Sequence, residues 1–240
     1  MAAQAAVAPR VRVRVPASTA NLGPGFDALG LALALYNEVT AREADATSVT
    51  VEGEGVGKVP TGEQNVVVRG VRAAYETAGR RFPGCAVSCL NRIPLARGLG
   101  SSAAAWVGGL AAGNALLGSP LDRSAVLTLA ARAEGHPDNV AAALYGGLTV
   151  SCSGPDGTTA VSLPVPGHLR WVILVPEITS ATAEARAVLP PTVPRPDAVF
   201  NVQRVALLLA SLQVDRPENL ALALEDRLHE PYRLSLFPWM

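Results

Sequence analysis

A glycine-rich stretch directly in front of an alanine-rich run is the feature that most constrains this chain. Residues 92–105 read RIPLARGLGSSAAA, and the apolar residues that follow predict a helix over about residues 101–117. Glycines let backbone N–H groups approach an anion closely, and a helix N-terminus adds unpaired donors and a favourable dipole. The stretch therefore fits a phosphate-binding loop, and it also fits a plain cap on a tightly packed Ala-rich helix.

Two familiar nucleotide-binding patterns do not account for this stretch. Gly98, Gly100 and Ala103 match the dinucleotide fingerprint G-x-G-x-x-A, which belongs immediately after a strand. Here Pro94 and Arg97 separate the predicted strand from the glycines. No Lys follows the last glycine, and this excludes a Walker loop.

Composition excludes several classes of protein. The 240 residues are 49% apolar and 17% charged, which is enough for a core in one large domain or two small ones. The 20 basic and 20 acidic side chains cancel, so we expect no nucleic-acid partner and no anionic membrane surface. No apolar run approaches the roughly 18 residues of a membrane helix, and the start does not resemble a secretory leader. Three scattered cysteines argue against a disulfide scaffold; we interpret Cys85 and Cys89 as buried structural residues and expect a cytoplasmic protein.

Hydrophobic periodicity predicts an α+β fold, because strands and helices intermix without a steady βαβ rhythm. Strands are predicted in RVRVRV (10–15), SVTVEGEG (48–55), GCAVSCLNRIP (84–94), GGLTVSC (146–152) and LRWVILVP (169–176), while DALGLALAL (27–35) is a strand or a helix. Helices are predicted over 65–79, over 101–117, over 119–135 with Ser119 as N-cap, and over 180–189, 197–212 and 217–229. SLPVPGH (162–168) suggests a domain boundary near residue 165, giving domains of residues 1–165 and 166–240.

Two polar segments between apolar runs add to the glycine-rich stretch. STANLGPGFDALG (18–30) is a Gly/Pro-rich loop, and EGHPDNVA (134–141) follows a predicted helix. Their polar side chains are Asn21, Asp27, Glu134, His136, Asp138 and Asn139. Each segment alone also fits a turn or a cap, but together with the hydroxyls of Ser101 and Ser102 they suggest a shared pocket.

Together these segments resemble the GHMP kinase superfamily, and within it the homoserine kinases. The motif P-x-x-x-G-L-G-S-S-A-A at Pro94–Ala104 resembles the phosphate loop of that superfamily. PASTANLGPGFDALGLAL before it and EGHPDN after it are the homoserine kinase forms of the flanking motifs. TSATAEARAVLP (179–190) and DRLHEPYR (226–233) match in kind and order, so the resemblance runs from about residue 10 to the end.

The resemblance implies a two-domain GHMP-kinase architecture. Its N-terminal ATP-binding domain would be ribosomal protein S5 domain 2-like, and its C-terminal domain would be ferredoxin-like α+β. The implied activity is ATP-dependent phosphorylation of the side-chain hydroxyl of L-homoserine, which gives O-phospho-L-homoserine for threonine biosynthesis. The implied cofactors are ATP and Mg²⁺, and the implied assembly is a homodimer.

The resemblance also implies roles for individual residues. The ATP phosphates would be wrapped by Pro94, Leu95, Ala96, Arg97, Gly98, Leu99, Gly100, Ser101, Ser102, Ala103 and Ala104. Ser102 and Glu134 would hold Mg²⁺. The amino acid would be bound by Asn21, Asp27, His136, Asn139, Thr182, Arg186 and Arg233, of which Asp27, Asn139 and Arg186 are the expected catalytic residues.

Side-chain chemistry refines these implied roles. Arg186 and Arg233 suit the substrate carboxylate, because guanidinium groups bind carboxylates through paired donors. Several relatives have Asp where this chain has Asn139, and an amide cannot act as a general base. We therefore expect Asp27 to orient the hydroxyl and to take its proton late.

Plainer interpretations stay open for several of these residues. Glu134 also fits a solvated last-turn residue, and His136 also fits a turn. Arg186 and Arg233 also fit surface arginines. His168 and His229 are interpreted as structural.

The chain departs from the family pattern at its C-terminal end, which reads LSLFPWM. The resemblance implies a third glycine-rich motif, S-G-x-G-P, beyond this point; SCSGPDG (151–157) is instead interpreted as a hairpin turn. We therefore expect an incomplete C-terminal domain and a chain that binds ATP weakly or aggregates on its own. Two alternatives stay open: another small-molecule kinase of the superfamily, acting on mevalonate or a sugar, and an inactive nucleotide- or metabolite-binding fragment.

Overall fold

The computed structural model describes residues 9–175 and 182–237. Within this part of the chain, six strands form one sheet in the order β3-β4-β2-β5-β6, and β1 pairs with β2. The strands are β1 (Arg10–Ala20), β2 (Leu29–Glu43), β3 (Ser48–Gly53), β4 (Cys85–Asn91), β5 (Leu148–Gly154) and β6 (Gly157–Leu163).

Helices cover the sheet and fill the second half of the chain. They are α1 (Val66–Thr77), α2 (Ser101–Leu116), α3 (Arg123–Glu134), α4 (Asp138–Tyr145), α5 (Thr182–Ala187), α6 (Arg195–Gln213), α7 (Leu220–Ala223) and α8 (Glu230–Arg233), with a 3₁₀ turn at Pro217–Asn219. The mixture of strands and helices confirms the α+β prediction.

Strand β2 organises the sheet because it pairs with three other strands. Its first residues, Leu29–Leu31, lie against β5, and its second half, Glu38–Glu43, lies against β4. Strand β1 runs antiparallel along it, with a register shift between Pro16 and Ala17. Near its C-terminal end, β1 contacts the glycine-rich loop through a 3.1 Å hydrogen bond from Ser18 N to Leu99 O. The loop that joins β1 to β2 therefore begins at the end of the sheet where the glycine-rich loop lies.

Helices α1 and α2 pack closely because glycines lie between them. A Cβ on Gly109 would come within 2.2 Å of the Val67 carbonyl oxygen. A Cβ on Gly70 would come within 2.9 Å of Leu110 N. Close packing of this kind fixes α2 in position, and with it the helix N-terminus that follows the glycine-rich loop.

Helix α6 belongs to the same core as the sheet. Its Leu208 and Leu212 are buried in a cluster with Leu29, Leu31 and Leu148. Helix α6 is therefore packed against β2 and β5. The boundary near residue 165 stays a prediction.

Most elements lie where periodicity placed them, and the ambiguous DALGLALAL stretch is part of β2. Cys85 and Cys89 are buried, as predicted. SCSGPDG contains the turn of the β5–β6 hairpin, as predicted. Helix α4 was not predicted.

Three element predictions are wrong. The helix over 119–135 begins at Arg123, because Asp122 is its N-cap and accepts a 2.7 Å hydrogen bond from Ala125 N. Ser119 has φ 62° and lies outside the helix. The helix over 217–229 is broken after Ala223, since the Asp226 carboxylate accepts the N–H groups of residues 228–230 and starts a new turn.

The third wrong prediction is the strand at LRWVILVP. Residues 170–175 form no strand. Two of their apolar side chains are largely exposed to solvent, Val172 at 82% and Leu174 at 81%. An apolar run becomes a strand only when a neighbouring strand supplies hydrogen bonds, and the described residues place none beside it. Residue 176 of this stretch lies outside the described residues.

Candidate active site

A cavity of about 480 Å³ brings together segments that are far apart in the sequence. It is lined by the β1–β2 loop, the glycine-rich loop, the turn before α4, and arginines of α5 and α8. Predicted residues in its lining are Asn21, Asp27, Pro94, Ala96, Arg97, Gly98, Leu99, Gly100, Ser101, Ser102, Glu134, His136, Asn139, Arg186 and Arg233.

Four predicted residues are not part of this lining. Ala103 and Ala104 belong to α2 and are buried in the core. Leu95 points toward Gly55, whose added Cβ would lie 2.9 Å from a Leu95 methyl group. Thr182 is the first residue of α5, but its side chain lies outside the described residues.

The glycine-rich loop leaves space in front of α2. Ala96, Gly98 and Gly100 have φ values of 53°, 71° and 66°. A Cβ added at Gly98 would meet nothing within 4 Å. Gly100 is the N-cap of α2, and it has no side chain that could cap the helix. The first N–H groups of α2 are therefore suited to bind an anion.

Ser18 fixes the end of this loop. Its Oγ donates a 2.9 Å hydrogen bond to Asn139 Oδ1, and its N–H donates to Leu99 O. A Cβ on Gly100 would lie 2.1 Å from Ser18 Oγ, so only glycine fits there. Sequence reasoning missed Ser18, although it lies in the first of the quoted motifs.

Ser102 and Glu134 lie together at the mouth of the cavity. Ser102 Oγ donates a 2.8 Å hydrogen bond to Glu134 Oε2. No cluster of three or more His, Cys, Asp or Glu side chains that could hold a metal exists among the described residues. One hydroxyl and one carboxylate still fit Mg²⁺, which is usually bound by one or two protein oxygens together with substrate phosphates and water.

His136 is oriented by Asp138. Its Nδ1 lies 2.8 Å from Asp138 Oδ1, and that buried carboxylate oxygen also accepts a 2.6 Å hydrogen bond from Asn139 N. The hydrogen bond to Asp138 raises the pKa of His136. Both His136 and Asn139 are therefore held by the start of α4 on one wall of the cavity.

Asp27 and Arg186 form a bidentate ion pair within the cavity. Arg186 Nη1 lies 3.0 Å from Asp27 Oδ2, and Nη2 donates to Oδ1. The bonds to Asp27 raise the pKa of Arg186. Asp27 has φ 56°, and its N–H donates a 3.1 Å hydrogen bond to Asn21 Oδ1, so the two residues brace one turn.

Arg233 reaches the same wall from α8. Its Nε donates a 3.1 Å hydrogen bond to Ala185 O. The guanidinium carbons of Arg186 and Arg233 each lie 5.3 Å from the ring centre of Phe26. Phe26 is a further residue that the sequence did not single out; its place beside Asp27 in the β1–β2 loop is the only sequence signal for it.

Comparison with known proteins identifies the family. A model of the GHMP kinase N-terminal domain matches residues 65–147. The chain is 49% identical over 233 residues to a homoserine kinase of Clavibacter michiganensis, with 95% of this chain and 73% of that protein covered. This chain belongs to the homoserine kinase family. A homoserine kinase of Moorella thermoacetica is 45% identical over 228 residues, covering 95% of this chain and 77% of the other.

A solved homoserine kinase structure has the same architecture. The crystal structure from Cytophaga hutchinsonii matches with a TM-score of 0.80 and 31% identity, covering 95% of this chain and 75% of that one. The predicted GHMP-kinase fold, family and enzyme class are thus confirmed, and a homoserine kinase is favoured over the mevalonate, sugar-kinase and inactive-fragment alternatives. The chain spans about three quarters of the length of these homoserine kinases. Among the described residues, no helix is both long and apolar enough to cross a bilayer.

Proposed function

We propose that this chain transfers the γ-phosphoryl group of ATP to the side-chain hydroxyl of L-homoserine, giving O-phospho-L-homoserine and ADP. The observation that carries this proposal is a single cavity with an open helix N-terminus on one side and two arginines on the other. A nucleotide triphosphate suits the first side, and an amino-acid carboxylate suits the second.

The nucleotide side is built from the glycine-rich loop and α2. Backbone N–H groups around Gly98–Ser102 would bond phosphate oxygens, supported by the helix dipole. Ser102 and Glu134 would hold Mg²⁺, which when bound neutralises charge on the β- and γ-phosphates. The cavity lining and the 2.8 Å Ser102–Glu134 contact support this assignment.

The amino-acid side is built from the β1–β2 loop, α4, α5 and α8. Arg186 and Arg233 would bind the carboxylate, since both line the cavity beside Phe26. Asn21, His136 and Asn139 would surround the rest of the substrate. Thr182 would also contact the substrate, as the family motif implies. Asp27 accepts hydrogen bonds from both Nη atoms of Arg186. To bind the substrate carboxylate, Arg186 must therefore share its donors between two carboxylates or exchange Asp27 for the substrate.

The chemistry requires alignment more than a strong base. Phosphoryl transfer depends on in-line positioning and on neutralising charge. Asn139 cannot accept a proton, and its Oδ1 already accepts from Ser18. Asp27 would orient the attacking hydroxyl and receive its proton late in the transfer.

A parallel assay tests the proposal. ADP formation is measured with L-homoserine, mevalonate and galactose at equal concentrations and with Mg²⁺ present. Activity with homoserine alone supports the proposal, whereas activity only with mevalonate or galactose, or with none of the three, contradicts it. A cytoplasmic location, a homodimer and the absence of nucleic-acid and membrane partners stay predictions beside this function.

A further inference from the structure

His229 lies behind the amino-acid side of the cavity without lining it. The residue is buried, and its Nε2 lies 2.8 Å from Gly23 O. A carbonyl oxygen only accepts, so Nε2 carries the ring proton and Nδ1 is left as an acceptor. Arg233 Nη1 lies 3.2 Å from that Nδ1 and donates to it.

Burial and the Arg233 charge favour this neutral ring, whereas the negative charges of Asp226 and Asp27 oppose it. Asp226 Oδ2 lies 3.8 Å from Nε2, but its hydrogen bonds go to the N–H groups of residues 228–230. The Arg233 guanidinium lies on the Nδ1 side, and Glu230 follows His229 in the chain. Burial lowers the pKa of His229, and a doubly protonated ring would direct an N–H at the guanidinium.

His229 also supports Phe26. The two rings stack with centroids 5.1 Å apart and an angle of 26° between their planes. Phe26 in turn lies beneath the guanidinium groups of Arg186 and Arg233. One buried ring therefore contacts both an arginine of the proposed carboxylate site and the platform under the two arginines.

We infer that His229 is a positioning residue for recognition of the substrate carboxylate. Its neutral ring fixes the Arg233 guanidinium through Nδ1 and holds Phe26 by stacking, while Gly23 O fixes the ring itself. The inference rests on the proposed function, because it assigns to that site the residue that aims its second arginine.

Two substitutions separate the hydrogen bonds of His229. His229→Gln keeps a donor for Gly23 O but places no acceptor at the Nδ1 position, whereas His229→Asn keeps an acceptor there. We expect His229→Gln to raise the KM for homoserine about tenfold, with the KM for ATP and kcat changed less than about twofold. His229→Asn should restore part of the loss. The matched control is His168→Asn, because His168 is exposed and lies 3.4 Å from Asp215.

A substrate without a carboxylate gives the decisive readout. With 3-amino-1-propanol, which keeps the amine and hydroxyl, His229→Gln should change kcat/KM less than about twofold relative to the wild-type chain. An equal loss with both substrates, or an unchanged KM for homoserine, would overturn the inference, because a merely structural role affects both alike.

Nitrogen NMR of the wild-type chain tests the arrangement without any activity. The inference requires His229 to be protonated at Nε2 near neutral pH and requires its Nδ1 resonance to shift in Arg233→Ala. Protonation at Nδ1, or no response to Arg233→Ala, would overturn it even if every His229 variant failed to fold. If the wild-type chain does not phosphorylate homoserine, the proposed function fails, and this measurement still decides the His229–Arg233 contact.

Discussion

Asp27 and Arg186 are paired across the cavity through two hydrogen bonds, although 159 positions separate them in the chain. Each side chain is 34% exposed, so solvent or a ligand can reach the pair. The Asp27 carboxylate lies against the donors that a substrate carboxylate would use.

Asp27→Asn tests whether the carboxylate takes a proton. The amide can still orient a hydroxyl, but it cannot act as a base, so we expect kcat to fall roughly hundredfold. Steady-state kinetics with homoserine measure the effect. Asp197→Asn is the control, because Asp197 pairs with Arg227 and does not line the cavity. Near-full turnover by Asp27→Asn would rule out the proton role.

Gly100→Ala and Gly98→Ala compare a steric clash with backbone strain alone. Both glycines have positive φ, but only at Gly100 would a Cβ strike another atom, at 2.1 Å from Ser18 Oγ. We expect a loss of about 1 kcal/mol in unfolding free energy at Gly98 and about 2–4 kcal/mol at Gly100. Urea unfolding provides both values, and the KM for ATP should rise more in Gly100→Ala. Equal losses would show that Ser18 yields to the new methyl group.

Glu134→Gln tests the proposed magnesium ligand. The substitution keeps an oxygen but removes the charge, so we expect half-maximal activity to need about tenfold more Mg²⁺ at fixed ATP. Glu76→Gln is the matched control, since Glu76 lies near the end of α1, as Glu134 lies at the end of α3, but is exposed and does not line the cavity. An unchanged magnesium titration would remove Glu134 from the site.

His229 should also affect stability on the acid side. Burial lowers its pKa below the usual 6.5, so from 6.5 downwards the unfolded chain binds more protons than the folded chain. The unfolding free energy therefore decreases as pH is lowered through that window, by at most about 1.4 kcal/mol per pH unit. His136 acts in the opposite window: Asp138 raises its pKa, and its contribution is lost as pH rises above 6.5.

Urea unfolding between about pH 5 and pH 8 separates these two effects. The wild-type chain should lose stability below about pH 6.5, and His229→Gln should flatten that slope while leaving the slope on the alkaline side unchanged. An acid slope that is identical in the two proteins would contradict the neutral, buried state of His229.

Local patterns predicted the parts of the fold that local interactions determine. Helix α1 lies where its apolar spacing predicted it, and the Asn65 side chain caps it by accepting from Val67 N. Strand β4 follows its alternation. The strand prediction at LRWVILVP was wrong because an apolar run indicates only the preference of a segment and says nothing of a neighbouring strand.

The candidate site was predictable as a set of residues but not as a set of contacts. Family motifs named Asp27, Arg186 and Arg233. The ion pair of Asp27 with Arg186 depends on tertiary packing, and no spacing in the sequence reveals it. In the sequence, Phe26 and His229 resemble ordinary core residues. Their stacking on each other is visible only in the structure.

The contact of His229 with Gly23 spans 206 positions and has a consequence for biosynthesis. On a ribosome, the strands and the phosphate-facing loop emerge well before either arginine, and the nascent polypeptide can begin to fold from its N-terminal end. The proposed carboxylate site is therefore complete only after residue 233 leaves the exit tunnel. A translation product that stopped earlier would thus contain the proposed nucleotide-binding loop but would lack the arginine pair proposed to bind the amino acid.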